Sequence, residues 1–361
     1  MDEADQARNQ CGSNLELFGA APGVEVVEAS AFAAYPQCDD YRRTCVMIQA
    51  PDGRNYAVDL FRVTGGKTHQ YAFHANGSLA DLKPARPAPQ PVDLSDAWSL
   101  WVERPRAVTP KTPHTFTWRY HETSLDLMML NTIDTVQRII ITDAPGWRNH
   151  REAARGRPPV QQILVENRAR DDAAMLTTQY AAVIVPYQSD ASPVVAARLL
   201  ANDAETGVIA VEVRLAGRTD YIVSTMDQEQ RRYGPVTVAG RFALVSVDDE
   251  GRAIQGYLLA GGELECGELK IRLPEPSTTL KVRSVSDRTF QLAERLPSGA
   301  AGAGGYLLAR GPVPMSETAP RPRTGFEIES SKADSITVRD YPVVECDEVD
   351  VLHSSWRGPK Q

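Results

Sequence analysis

The stretch Asp59–His74, "DLFRVTGGKTHQYAFH", brings two histidines, a tyrosine, an arginine and an aspartate into one short run. Histidine and tyrosine are common general acids and bases. A guanidinium captures a carboxylate in a two-pronged fork. The run alternates as a strand does, so successive side chains point to opposite faces. Val58, Leu60 and Arg62 share one side, and Asp59, Phe61 and Val63 the other. Beyond the glycines, His69, Tyr71 and Phe73 share a face, with Gln70, Ala72 and His74 opposite. Asp59, His69 and His74 therefore do not converge as metal ligands must, and no metal site is expected from them.

The expected local structure is a pair of adjacent antiparallel strands joined through Gly65-Gly66, whose lack of Cβ permits a positive φ in the turn. Asn76-Gly77 starts the next turn. His69 and Tyr71 are expected to look outward into a cleft, with Arg62 as a further substrate-contact candidate. His74 is expected inside and hydrogen-bonded. Asp59 and Arg62 are read as a structural cross-strand ion pair. A bland alternative stands beside it for the same residues: two hydrogen-bonded histidines that lock a hairpin.

A second group lies in "DAPGWRNHREAARGRPP" (143–159), where Trp147, Arg148 and Arg151 stand with His150, Arg155 and Arg157 against the single acid Glu152. An aromatic face beside guanidiniums suits sugar stacking and carboxylate capture; a solvated loop has the same composition. Trp98, Trp101 and Trp118 sit on strand-like segments and are read as core. No G-x-S-x-G occurs, and "AGAGG" lacks the strand-and-helix flanks of a nucleotide fingerprint. No residue of this chain is assigned a catalytic role.

The elements that must position these groups are strands. Segments such as "VEVVEA", "YRRTCVMIQA", "HTFTWRYH", "VQRIIITDA", "AAVIVPY" and "VIAVEVRLA" are rich in β-formers and bounded by Gly, Pro, Asn and Asp. About ten at this spacing imply an all-β chain built on a large antiparallel sandwich. "DLKPARPAPQPVDL" (81–94) reads as an extended connection, and "PSGAAGAGG" (297–305) as a loop. "MDQEQRRYGP" (226–235) reads as a domain junction. The expected division is a sandwich over 1–235 and a smaller C-terminal β domain over 236–361.

Bulk properties narrow the partners. The 361 residues carry a formal net charge of −8, against general nucleic-acid binding, which needs a basic face. A local basic groove remains compatible with that charge, because fields are screened over about 10 Å. No apolar run approaches the ~18 residues of a spanning helix, so no membrane partner is expected. "MDEADQARNQCG" has neither the basic nor the apolar part of a signal peptide. The cysteines at 11, 38, 45, 266 and 346 show no zinc spacing and read as thiols, with a Cys38–Cys45 disulfide left open.

The ordered set "GSNLELFGAAPGVEVVEASAFAAYP", "YRRTCVMI", "VDLFRVTGGKTHQYAFH", "IIITDAPGWR", "ILVENR" and "TGFEIESS…ITVRDYPVVECDEVDVL" resembles the heparinase II/III superfamily of polysaccharide lyases. The resemblance runs over nearly the whole chain and is strongest at D-x-F-R-V-x-G-G-x-x-H-x-Y-x-x-H. It implies a β-sandwich that follows an α/α-toroid, the toroid carrying most catalytic side chains. It also implies a zinc site on early sandwich strands with "GHxHxD"-like and "HNTVxVD"-like segments, neither of which appears here. The expectation is thus the C-terminal portion of such an enzyme, with no cofactor of its own. Its partners would be an acidic polysaccharide and the toroid, and its setting the periplasm or the exterior. The implied reaction is β-elimination at a hexuronic acid. A base removes the C5 proton, donors or cations stabilise the enolate, and an acid protonates the leaving O4. The alternative is a stand-alone carbohydrate-binding or scaffold β protein without catalysis.

Overall fold

A computed structural model describes residues 1–2, 4, 6, 13–31, 33–85, 88–94, 102–144, 160–170, 175–188, 191–297, 301–311, 321–342 and 345–358. The first strands are β1 (Asn14–Ala21), β2 (Val24–Ser30), β3 (Cys38–Gln49), β4 (Asn55–Gly65), β5 (Thr68–His74), β6 (Ser78–Lys83) and β7 (Gln90–Pro91). They are followed by β8 (Glu103–Val108), β9 (His114–Tyr120), β10 (Thr123–Met129), β11 (Arg138–Ala144), β12 (Val160–Arg168) and β13 (Thr177–Gln188). Next come β14 (Val194–Asp203), β15 (Val208–Leu215), β16 (Arg218–Ser224), β17 (Arg231–Tyr233), β18 (Val236–Val247), β19 (Ala253–Cys266) and β20 (Leu269–Arg272). The chain ends in β21 (Ser277–Ser286), β22 (Thr289–Leu292), β23 (Tyr306–Arg310), β24 (Arg323–Lys332), β25 (Ser335–Val338), β26 (Glu348–Leu352) and β27 (Ser354–Arg357). The described residues form no helix, as the period-two patterning led one to expect.

Three antiparallel sheets stack. The central sheet runs β1-β2-β3-β4-β13-β10-β9-β6, the outer sheet β5-β12-β11-β8-β7, and the third β14-β15-β16-β18-β19-β20, with β17 paired to β18 and β27 to β19. Both faces of the central sheet are covered over much of its area. Val58, Leu60, Ala181 and Val183 meet Ile209, Val211, Ile222 and Leu244 of the third sheet. Phe61, Val63, Phe116, Trp118 and Tyr180 meet Tyr71, Ile139, Ile141, Ile163 and Val165 of the outer one. This explains why neither face of β4 alternates to polar: a middle-layer strand buries both. A fully buried side chain of this size stabilises the fold by about 1.5–3 kcal/mol. Trp118 is core as expected, its indole N–H donating to the Gln161 carbonyl at 3.0 Å; Trp98 and Trp101 lie outside the described residues.

The division at 235/236 falls inside the third sheet. Residues Thr219–Ser224 of β16 pair directly with Phe242–Val247 of β18, so the charged stretch 226–235 is an insertion between paired strands rather than a link between bodies. The sheet packs Ala210, Val223, Ala243, Val245 and Leu258 together with Val236, Val238, Leu264 and Ile271 in a core of its own. The close approach of Gly240 to Gly261 lies between the two halves of β18 and β19, where a Cβ on either would crowd the other's Cα. The smaller unit is a closed barrel, β21-β22-β25-β24-β23-β26, spanning Ser277–Leu352. It is stitched to the sandwich at both ends. β27 returns to pair with β19, while Phe18 of β1 stands edge-on to Tyr306 with ring centroids 4.6 Å apart.

Candidate functional site

The run 59–74 does not form a hairpin. β4 is already flanked by β3 and β13, so no edge is free for β5. The chain leaves the central sheet at Gly65 and Gly66, with φ of 105° and 65°, and β5 pairs with β12 in the outer sheet. The glycines serve the turn as expected, but the turn is an arch between layers. A methyl at Gly65 would collide with the Gln37 carbonyl oxygen.

That crossing reverses the expected facing. The His69/Tyr71/Phe73 face of β5 looks down onto the central sheet, leaving His69 1% and Tyr71 2% exposed, while His74 on the other face is exposed. The His69 ring is fully used. Its Nε2 lies 2.5 Å from the Gly65 carbonyl and its Nδ1 3.0 Å from Thr178 Oγ1, which itself accepts from Asn167 Nδ2. A carbonyl can only accept, so Nε2 carries the proton and the Thr178 hydroxyl donates to Nδ1. Burial pushes the His69 pKa below the ordinary histidine value.

Tyr71 belongs to a cluster on the Asp59 carboxylate. Its hydroxyl donates to Asp59 Oδ2 at 2.8 Å, and the Arg43 fork closes on the same group through Nε at 2.7 Å and Nη2 at 2.5 Å. The Arg43 guanidinium also lies 5.7 Å from the Tyr71 ring centroid. Asp59 is buried, whereas the Arg43 side chain is half exposed. Burial, then the Asp59 charge, pushes the Tyr71 phenol well above its usual range. The Cys45 thiol, 3.8 Å from Asp59 Oδ1, is pushed up to about 11 by burial and the same charge. Cys38 and Cys45 are both free. Seven residues apart on one strand, they stand roughly 23 Å from each other, far beyond disulfide reach.

Arg62 points the opposite way from Asp59, and the expected ion pair between them does not form. Residues three apart on a strand occupy opposite faces. Arg62 lies between the central and third sheets, donating through Nε to the Gly207 carbonyl (2.8 Å), Nη1 to Thr44 Oγ1 (3.2 Å) and Nη2 to Ser224 Oγ (2.9 Å). Its charge faces Glu28, 3.9 Å away, which also holds Arg42 at 3.1 Å and Arg241 at 2.6 Å. Burial lowers the Arg62 pKa to about 10. Burial by itself would raise the Glu28 carboxyl, but Arg241, Arg62 and Arg42 hold it below the ordinary range.

The sequence candidates thus divide. Tyr71 and Asp59 join one cluster, His69 closes the arch, Arg62 works in a different seam, and His74 is at the surface. Trp147, Arg148 and Arg151 lie outside the described residues. Arg43, Glu28, Arg241 and Gln179 were not singled out. Glu28 left one trace: in "VEVVEAS" it shares the inward parity of Val24 and Val26. Arg43 left none, because its partner is fixed by the pairing of Cys45 with Asp59. Among the described residues no three His, Cys, Asp or Glu side chains gather as metal ligands would, and no helix is long and apolar enough to cross a membrane.

The fold defines an all-β protein of three stacked antiparallel sheets with a barrel appended. No family model matches the chain, and no curated protein matches it. Its structure is similar to that of heparan sulfate lyase HepC from Pedobacter heparinus, with 13% identity and a TM-score of 0.39 over 61% of this chain and 29% of that one. It is also similar to the heparinase III BT4657 gene product, with 15% identity and a TM-score of 0.38 over 59% of this chain and 27% of that one. The chain therefore spans less than a third of the length of either.

Proposed function

We propose that this chain is the β-sandwich portion of a polysaccharide lyase that cleaves uronate-containing polysaccharides by β-elimination, and that it is inactive alone. The resemblance of the ordered segments to the heparinase II/III superfamily supports the class. The observation that carries the inactivity is the state of the arch. Both His69 nitrogens are engaged, and the Tyr71 hydroxyl is committed to Asp59. Neither group is free to take the C5 proton or to protonate O4, so the arch itself offers no base or acid, which supports the reading that these come from the toroid. The half-exposed Arg43 guanidinium, held rigid by Asp59, is the group of the arch suited to a substrate carboxylate. There it would stabilise the charge that develops when the α-proton leaves.

The test is formation of the unsaturated uronate chromophore from heparan sulfate, heparin and alginate. The purified chain is expected to produce none. Fused to the toroid of a heparinase II/III lyase or to its own in-frame upstream region, it should turn over, and Arg43→Ala should then slow that turnover. Cleavage by the isolated chain would overturn the reading. So would an upstream stop codon with a ribosome-binding site at Met1, which favours a stand-alone binding protein.

A further inference from the structure

Asp52-Gly53 and Asn76-Gly77 share one reactive pattern, a side-chain carbonyl that can close a five-membered imide with the nitrogen of a following glycine. Glycine has no Cβ to screen that nitrogen, and its backbone bends freely toward the side chain. No other asparagine of the chain precedes a glycine.

The fold treats the two pairs in opposite ways. The Gly53 N–H donates to the Ala50 carbonyl at 3.0 Å. The Asp52 carboxylate accepts from the Arg54 amide at 3.0 Å, from Arg54 Nε at 2.9 Å and from Nη2 at 2.6 Å. Nucleophile and electrophile are both engaged there, and an ionised carboxylate is in any case a poor acyl donor. Asn76-Gly77 forms the bend that carries the chain from β5 of the outer sheet to β6 of the central one. Asn76 is exposed, and among the described residues neither its side-chain amide nor the Gly77 N–H makes a hydrogen bond. The glycine is demanded by the bend itself. Its φ is 93°, and a Cβ there would run into the Arg119 carbonyl.

We propose that Asn76 is a site of spontaneous covalent modification, losing its amide through a succinimide, and that the isoaspartate product loosens the crossing from β5 to β6. The Gly77 nitrogen gives its proton to solvent base and attacks Asn76 Cγ. The new N–Cγ bond forms, the Cγ–Nδ2 bond breaks, and Nδ2 leaves as ammonia with protons from water. Water then opens the ring at one of two carbonyl carbons. Attack at Cγ restores the main chain and leaves aspartate. Attack at the Asn76 main-chain carbonyl leaves isoaspartate, which routes the backbone through Cβ and Cγ and lengthens it by one carbon. Ser78, the next residue, is already paired with Arg119, so the extra length falls directly on the start of the β6–β9 ladder. Water is the only co-reactant, and the proposal does not rest on the lyase reading.

The full chain is aged in mildly alkaline buffer, native and in guanidinium chloride. Isoelectric focusing, peptide mapping by mass spectrometry and labelling by an isoaspartyl methyltransferase follow it. An acidic species should accumulate, with Asn76 converted ahead of every other asparagine, isoaspartate present beside aspartate at that position, and Asp52 unchanged. A bend without hydrogen bonds opens at little cost, so the native chain should convert within roughly tenfold of the denatured one. Asn76→Gln, which would need a six-membered ring, should abolish the acidic species and keep the parent's urea midpoint. Freshly made Asn76→Asp, which carries the charge without the extra carbon, should keep it too, while the aged parent's isoaspartate fraction should unfold at lower urea. Should Asn76→Gln fail to fold, the mapped position of conversion in the parent decides alone. The proposal is overturned if Asn76 keeps its amide while other asparagines convert, or if aspartate forms there without isoaspartate. It is equally overturned if the native fold slows conversion by more than that tenfold, if Asp52 isomerises first, or if the isoaspartate form is as stable as Asn76→Asp.

Discussion

Exchanging His69 or His74 for alanine separates the arch from a hairpin more sharply than any other perturbation. In a hairpin with His74 internal, His74→Ala would be the costly change. The arch demands the reverse. His69→Ala removes an enclosed ring together with its bonds to the Gly65 carbonyl and the Thr178 hydroxyl, each contributing about 0.5–1.5 kcal/mol. It also opens a cavity, for a total on the order of 2–4 kcal/mol. His74→Ala at the surface should fall within about 0.5 kcal/mol of the parent. Urea unfolding with fixed slope reads the two as midpoint shifts. A pH series adds an independent sign. Burial depresses the His69 pKa in the folded protein, so below the unfolded value of ~6.5 the unfolded chain takes up a proton that the native one refuses. The contribution is therefore fully present above pH ~6.5 and is lost as the pH falls toward the folded pKa, at up to ~1.4 kcal/mol per unit. His114 is depressed by burial as well, so the relevant quantity is the difference between the parent and a His69→Gln variant, whose slope should be shallower. A His74→Ala variant that loses as much as His69→Ala, or an unchanged slope in His69→Gln, would refute the arch.

Three further outcomes follow from the same geometry. Tyr71→Phe should cost about 1.5–3 kcal/mol in urea unfolding, because the buried Asp59 carboxylate loses a donor and no other group replaces it. Glu28→Gln should cost on the order of 3–5 kcal/mol, since it leaves three guanidiniums around a neutral amide. The Glu28 carboxyl is held below its ordinary value, so its contribution is present above pH ~4.3 and lost as the pH falls further; acid unfolding followed by circular dichroism should be shallower in the variant. Gly65→Ala should destabilise by more than the ~1–2 kcal/mol of a left-handed residue, because the new methyl also meets the Gln37 carbonyl. Thermal unfolding would detect it.

Much of this fold was legible in the chain. Alternating β-formers separated by Gly, Pro and Asn give antiparallel strands, because a period of two fits only a pleated backbone, and helical periodicity is absent. The faces of β4 were also correctly paired by parity alone: Val58 and Leu60 lie in one core, Phe61 and Val63 in the other. Parity says which residues share a face, but not what that face meets. The sequence by itself could not tell that β4 has neighbours on both edges, so it could not tell that Gly65-Gly66 turns the chain into another layer. That single topological fact moved His69 and Tyr71 inward and His74 outward. Parity had already set Arg62 and Asp59 on opposite faces; the neighbours that β4 finds gave Asp59 to Arg43, and Arg62 to Glu28 and the turn at Gly207. These partners lie 16, 34 and 145 residues away along the chain. Pairing of β2, β3 and β4 brings the first two together and closure against the third sheet the last, because a strand's hydrogen bonds fix its register to whichever edge it finds, and that choice depends on every other strand in the sheet.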